Sequence, residues 1–287
     1  MKIIFSQRCL EYEVLGHPES PQRIRLAYNF LKEKGFEFIE PRPCSEEDII
    51  LAHSRSLLEK VKNNQIFDPD TPNILDIFKY ACLSVGSAIL AQEICLTENS
   101  KVLSLMRPPG HHAGYEQLGG FCYFNNIAIA IKKALQKVNK AVILDLDCHH
   151  GNGTQEIFLG NKNILYVSLH QVPLYPGTGL RSEKNCLNYP LPPGTQEEEY
   201  LKTLRQALER IKEFKPEIIG ISLGLDTYEK DPLANLKLKF SSYHKIGFLI
   251  NRLEIPSFAV LEGGYSADLG RCIYEFILGW EDKKVDF

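Results

Sequence analysis

The segment Asp145-Leu146-Asp147-Cys148-His149-His150-Gly151-Asn152-Gly153-Thr154 follows directly on the apolar run Ala141 to Leu144. Two carboxylates and two imidazoles at the end of a buried strand are a costly combination. Each ionised group loses its water unless a metal or a reaction compensates. On an extended backbone Asp145, Asp147 and His149 share one side, and Cys148 points away from them as a packing residue. A carboxylate and an imidazole two residues apart at a strand end suit one divalent metal ion.

Three other apolar runs lead into polar groups. Lys101–Leu105 leads into Arg107-Pro108-Pro109-Gly110-His111-His112-Ala113, Glu217–Leu223 into Gly224-Leu225-Asp226-Thr227, and Phe258–Leu261 into Glu262-Gly263-Gly264-Tyr265. In open parallel sheets ligands bind beyond the carboxyl ends of strands, so all four loops would open on one edge. Asp147, His149 and Asp226 then supply two oxygens and one nitrogen. Three ligands with an open position mark a catalytic site. Zinc fits, and iron(II) or cobalt(II) fit nearly as well. Taken alone, Asp147 reads as a helix cap and His149 as a satisfied interior histidine; the assembled set does not. Pro108-Pro109-Gly110 makes a stiff turn ahead of His111 and His112, which suit general acid–base work. Asp145 and Asn152 are available to accept their outer N–H groups. Tyr265, behind two glycines, can donate to an oxyanion.

The elements that must position these groups follow from periodicity. The runs Lys2–Phe5, Lys101–Leu105, Ala141–Leu144, Ile164–Leu169, Glu217–Leu223 and Phe258–Leu261 are continuously apolar, as strands covered on both faces are. Ile127, Ile131, Leu135 and Val138 repeat at helical spacing, as do Leu201, Leu204, Leu208 and Ile211. The second helix is expected to open on a capping box, Thr195 with Glu198, and to stop at Pro216. Ser20-Pro21 reads as another helix start, and Pro190–Gly194 as a loop. The alternation predicts an α/β fold, a single domain over 1–287, with a mainly parallel central sheet and helices on both faces.

Bulk properties narrow the function. The net charge of −3 gives no case for nucleic acid or an anionic membrane surface. No uninterrupted apolar run approaches the roughly 20 residues of a membrane span. The 8 cysteines form no C-x-x-C pair, so reduced thiols are expected. The first residues carry too short an apolar core for a secretory signal, and the expected location is the cytoplasm. The oligomeric state is not set by these features.

The motifs together resemble a known family. Arg107–Ala113, Gly119–Asn126, Asp145–Thr154, Ser168-Leu169-His170 with Tyr175–Gly179, Asn188–Gly194, Leu223–Thr227 with Asp231-Pro232, and Leu261–Tyr265 run in the order found in zinc-dependent deacetylases of the histone deacetylase superfamily. His17-Pro18-Glu19-Ser20-Pro21-Gln22-Arg23 resembles the N-terminal loop of class II-like and bacterial members. The resemblance implies the arginase-deacetylase fold and zinc on Asp147, His149 and Asp226. It implies a water flanked by His111 and His112, with His112 the general base, Asp145 and Asn152 their partners, and Tyr265 the oxyanion donor. Gly120, Phe121 and Tyr175, with Leu233 after the Asp-Pro pair, would line a tunnel for an acyl-lysine-like chain. Asp145, Asp147, His149, Ser168 and Leu169 resemble a structural potassium site. Asn152 stands where class I members carry Asp, and Tyr265 where a weakly active vertebrate subclass carries His.

The implied activity is amide hydrolysis that frees an acyl group, foremost acetyl, from lysine in a peptide or protein or from an acylated small amine. An acetylpolyamine deacetylase is the rival; Leu233 replaces the Glu that one polyamine subgroup carries there. A catalytically silent acyl-lysine-binding module is disfavoured by the complete ligand set and Tyr265. A two-metal ureohydrolase is disfavoured by the single ligand set.

Overall fold

Successive residues of the inner strands enter two different apolar layers. Ile3, Leu103, Val142, Leu144, Ile219, Ile221 and Ala259 face one layer, and Ile4, Val102, Ala141, Ile143, Ile218, Phe258 and Val260 the other. Side chains alternate along a strand, so a continuous run of Val, Ile and Leu must be covered on both sides.

The computed structural model describes residues 1–283. Its strands are β1 (Lys2–Ile4), β2 (Glu37–Ile39), β3 (Val102–Ser104), β4 (Ala141–Asp145), β5 (Ile164–Gln171), β6 (Cys186–Leu191), β7 (Ile218–Leu223) and β8 (Ser257–Leu261). They form one sheet in the order β2-β1-β3-β8-β7-β4-β5-β6, and every neighbouring pair is parallel. The first layer is covered by α1 (Pro21–Glu33), α7 (Glu197–Phe214), α8 (Phe240–Asn251) and α9 (Leu269–Trp280). The second is covered by α2 (Glu46–Ile49), α3 (Arg55–Lys62), α4 (Ile77–Glu98), α5 (Asn126–Ala134) and α6 (Asn152–Phe158). The expected α/β architecture with a parallel sheet and helices on both faces is therefore present.

The order has one consequence for function. β3, β8, β7 and β4 stand side by side, and they are the four strands whose following loops hold the candidate residues. Parallel pairing delivers all four loops to one edge.

Several local expectations need correction. The helix α7 starts at Glu197 with Gln196 at its cap, and no side chain caps it. The Thr195 hydroxyl instead donates to Pro192 O at 2.7 Å, so the capping box does not form. Pro190 and Leu191 belong to β6, not to a loop. β6 is an edge strand, where proline's missing N–H faces no partner. β2 and β6 escape periodicity because edge strands are half exposed and mixed in composition. The 22-residue helix α4 is long and apolar enough by composition to cross a membrane, at mean hydropathy 1.3. Here it is a core helix, with Ser84, Gly86, Ser87 and Gln92 all buried in it.

Two of the covering helices meet at glycines. A Cβ on Gly247 of α8 would lie 2.2 Å from Phe276 O, and one on Gly279 of α9 would lie 1.9 Å from His244 O. The two backbones touch, so no side chain fits between them. Gly247→Ala should destabilise the fold by about 2 kcal/mol or more, read as a lower urea midpoint at unchanged slope.

Candidate active site

The loop after β3 is anchored before it reaches the histidines. Arg107 is fully buried. Its Nε and Nη2 donate to the two Glu19 carboxylate oxygens at 2.7 Å each. Nη1 donates to Cys9 O at 2.9 Å and Tyr12 O at 2.7 Å, and Nη2 also reaches Glu19 O at 3.1 Å. All five N–H groups of the fork are used. Burial alone would raise the Glu19 carboxyl, but Arg107, with Arg23, outweighs it and holds Glu19 below its ordinary 4.5.

Beyond that anchor stand the two histidines, with ring centroids 4.0 Å apart. His111 Nδ1 meets Asp145 Oδ2 at 3.1 Å. His112 Nδ1 donates to Asn152 Oδ1 at 2.7 Å, which leaves Nε2 as the free lone pair. Burial would lower His111, yet Asp145, Asp147 and Glu262 carry it up to about 10. Burial, with the charges of His111 and His149, pushes His112 well below 6.5.

The side-chain alternation of β4 runs on past the strand end. Val142, Leu144, Leu146 and Cys148 enter the first apolar layer, while Asp145, Asp147 and His149 face the other way. Cys148 is a packing residue, as expected. His149 Nδ1 lies 3.1 Å from Asp147 Oδ1 and 2.7 Å from Asp226 Oδ2. Asp147 Oδ2 accepts the N–H of Gly263 at 2.7 Å, and Asp226 Oδ1 that of Cys148 at 2.9 Å. Asp147 does not cap α6, which opens at Gly151.

The donor atoms of Asp147, His149 and Asp226 all lie within 4.8 Å of one another. Donors held about 2.0–2.1 Å from one tetrahedral ion stand about 3.3 Å apart, close to the two measured distances. The electrostatics agree. Burial and the adjacent Asp147 charge push Asp226 up to about 7. Burial would lower His149, but hydrogen bonds to Asp147 and Asp226 carry it up to about 10. Two carboxylates crowding one imidazole form a site that favours a cation. These residues fit a divalent metal.

A cavity of about 230 Å³ opens above the triad. It is walled by the expected Gly120, Phe121, Tyr175 and Leu233, together with His111, His112 and Tyr265. Gly120 has to be glycine here: its φ is +55°, and a Cβ would lie 2.4 Å from the His112 ring. Phe121 also takes a positive φ, held by its N–H to Thr71 Oγ1 at 3.0 Å. A larger open hollow of about 720 Å³ beside the start of α7 is lined by Thr195, Glu198 and Lys202 and lies away from this chemistry.

Residues without an assigned role in the sequence reading also belong here. Arg23 donates to Gly264 O at 2.8 Å and Glu262 O at 2.6 Å, and its guanidinium lies 4.8 Å from the Tyr265 ring centroid. Asp231 Oδ2 accepts the Tyr265 N–H at 2.7 Å. Burial raises the Tyr265 phenol well above 10, so it stays a donor. Asp70 and Leu174 line the cavity, beside Pro109 of the stiff turn. Glu19 and Arg23, four residues apart at a helix start, look like an exposed pair in sequence; only burial distinguishes them. The implied potassium residues are partly gathered: Asp145 and Ser168 are register partners on β4 and β5, and Leu169 follows. Ser168 Oγ is engaged with His170 Nδ1 at 2.8 Å.

Comparison with known proteins agrees with this geometry. The family model for the histone deacetylase domain matches residues 17–278. A probable deacetylase of Archaeoglobus fulgidus is 38% identical, over 93% of this chain and 81% of its own. The crystal structure of the HDA15 HD domain superposes with a TM-score of 0.92 at 29% identity, covering 98% of this chain and 88% of that one. An acetylpolyamine aminohydrolase from Burkholderia pseudomallei gives the same TM-score at 26% identity, covering 98% of both.

Two outcomes follow. Asp226→Ala should weaken divalent-metal binding by more than about 100-fold, beyond the loss typical of outer partners, read as metal retained after dialysis against a chelator. The Glu19 carboxyl is depressed in the folded chain, so its stabilisation is complete above about pH 4.5 and lost as pH falls through the folded value. Glu19→Gln should therefore cost about 3–5 kcal/mol at pH 7 and flatten the acid limb of melting temperature against pH.

Proposed function

This chain belongs to the histone deacetylase family, and on that premise we propose that it frees acetyl from the end of an unbranched primary-amine chain, foremost the lysine side chain of a polypeptide. It is a deacetylase; the lysine assignment and the metal are the proposal. The observation that carries it is the convergence of Asp147, His149 and Asp226 beneath a narrow cavity that His112 and Tyr265 also line.

Asp147, His149 and Asp226 would hold zinc, which when bound polarises a carbonyl and acidifies water toward a pKa of about 7. His112 does the proton work: Asn152 fixes its Nδ1–H, and Nε2 takes a proton from the attacking water. His111, kept protonated against Asp145, is the proton source for the departing amine. Tyr265 remains a phenol and donates to the carbonyl oxygen as negative charge develops there. Gly120, Phe121, Tyr175 and Leu233 hold an extended chain and keep water from its flanks.

A small acylated amine is the second reading, favoured by Asp70 on the cavity wall and the absence of lysine or arginine among the lining residues. The likeness to an acetylpolyamine aminohydrolase supports it; Leu233 at the wall supplies no charge for a distant ammonium. A structural potassium ion on Asp145, Asp147, His149, Ser168 and Leu169 is also part of the proposal, supported by the pairing of Asp145 with Ser168. So is a cytoplasmic location, supported by eight cysteines that are all unpaired.

The test is acetate release by zinc-loaded protein from an acetyl-lysine peptide and from N-acetylputrescine in competition. The peptide should be preferred. Tyr265→Phe should lower kcat about 10²–10³-fold. Full turnover by both Tyr265→Phe and Asp226→Ala would falsify the mechanism, and a preference for acetylputrescine would overturn the lysine assignment.

A further inference from the structure

The carboxylate of Glu262 touches no reacting atom in the chemistry above, though its charge adds to those that favour protonated His111, and it is fully buried beside the ends of β7 and β8. Its Oε2 accepts the N–H of Gly110 at 2.7 Å and that of His111 at 3.2 Å. Its Oε1 accepts Ser222 Oγ, from β7, at 3.2 Å. Its own N–H donates to Leu223 O at 3.0 Å. The next residue, Gly263, gives its N–H to the metal-site carboxylate of Asp147. One side chain thus joins the histidine loop to the strand that carries Asp226 and to the loop that carries Tyr265.

The need for such a joint is geometric. β3 is three residues long and ends at Ser104, seven residues before His111. The sheet ladder cannot fix the histidines over that span. Tyr265 leaves from the neighbouring strand β8 on the cavity's other wall. Groups that act on one carbonyl from two loops must be held within about 0.5 Å of their working positions. Without Glu262, the amides of Gly110 and His111 would be buried without their acceptor, which is costly for a backbone N–H.

We propose that Glu262 is a positioning residue: its carboxylate sets where the His111–His112 loop stands relative to the Gly263–Tyr265 loop. The inference rests on the reading that His112 and Tyr265 serve one substrate carbonyl. The positioning asks for an acceptor at the reach of a glutamate; the negative charge facing His111 comes first from Asp145 and Asp147.

Three variants separate these possibilities. Glu262→Gln keeps an oxygen for the two amides and turns its NH₂ to Ser222 Oγ, so kcat should stay within about threefold. Glu262→Leu fills the space without an acceptor; kcat should fall about 10–100-fold at nearly unchanged KM. Glu262→Asp withdraws the carboxylate by one carbon, should give an intermediate kcat, and serves if the leucine variant does not fold. Hydrogen exchange of the Gly110 and His111 amides gives a readout independent of activity. They should be protected in the wild type and in Glu262→Gln, and exchange at least about 10-fold faster in Glu262→Leu or Glu262→Asp. Equal damage from Gln and Leu, or unchanged exchange in Leu and Asp, overturns the proposal. A wild type that releases no acetate instead removes the underlying reading, and the exchange arm still decides the joint.

Discussion

A carboxylate taken out of water must be met by donors or by positive charge, and this edge of the sheet buries several of them. Asp145, Asp147, Asp226, Glu19 and Glu262 are all 5% exposed or less. The desolvation cost is several kcal/mol for each ion, so an unmatched one would consume much of a domain's net stability. Each is matched differently. Glu19 has Arg107 and Arg23. Asp145 has His111, the Tyr166 hydroxyl at 2.9 Å and the Asp147 N–H. Glu262 has two backbone N–H groups and a serine. Asp147 and Asp226 accept backbone N–H groups from Gly263 and Cys148 and share the imidazole of His149, and two carboxylates around one imidazole suit a cation.

The sheet order turns this constraint into a site. With β3, β8, β7 and β4 adjacent and parallel, their ends lie one strand spacing apart, about 4.8 Å. Side chains from neighbouring loops then touch without long excursions. The approach is close enough that Asp147 leaves no room for side chains beside it. A Cβ on Gly224 would lie 2.2 Å from its carboxylate, and one on Gly263 would lie 2.6 Å away. Glycine stands just past β7 and β8 because the Asp147 carboxylate, and for Gly263 that of Asp226 as well, already occupies the space.

The legible part of this molecule is the part carried by short-range pattern. Inner strands announce themselves by continuous Val, Ile and Leu, and the ligands by Asp and His at the ends of those runs. Family resemblance added the tunnel wall at Gly120, Phe121 and Tyr175, which no periodicity contains. What stayed hidden depends on burial or on distant partners. Arg23 and Glu19 have the spacing of an ordinary solvent-exposed helix pair, and nothing local says that Arg107, 88 residues on from Glu19, closes over them. Asp70 sits in a Pro- and Asp-rich loop whose place on the cavity wall is set by contacts with Phe121 and His17. β2 and β6 lack a signal because an edge strand needs only one neighbour. Thr195 and Glu198 matched a capping box by type, but the Thr195 hydroxyl found a nearer carbonyl.

The two adjacent histidines show how environment divides labour between identical side chains. His111 faces the anionic Asp145, with Asp147 and Glu262 nearby, so its positive form is the favoured one. His112 faces the neutral amide of Asn152, which orients the ring yet adds no charge. Burial, His111 and His149 then all disfavour a proton on it. The two imidazoles are thereby set apart in proton affinity, the separation that the proposed acid and base roles require. An aspartate at position 152 would work against this division, because a negative partner would draw His112 toward the protonated form. Under the proposed mechanism the amide at position 152 is the partner that orients His112 without drawing it toward the protonated form.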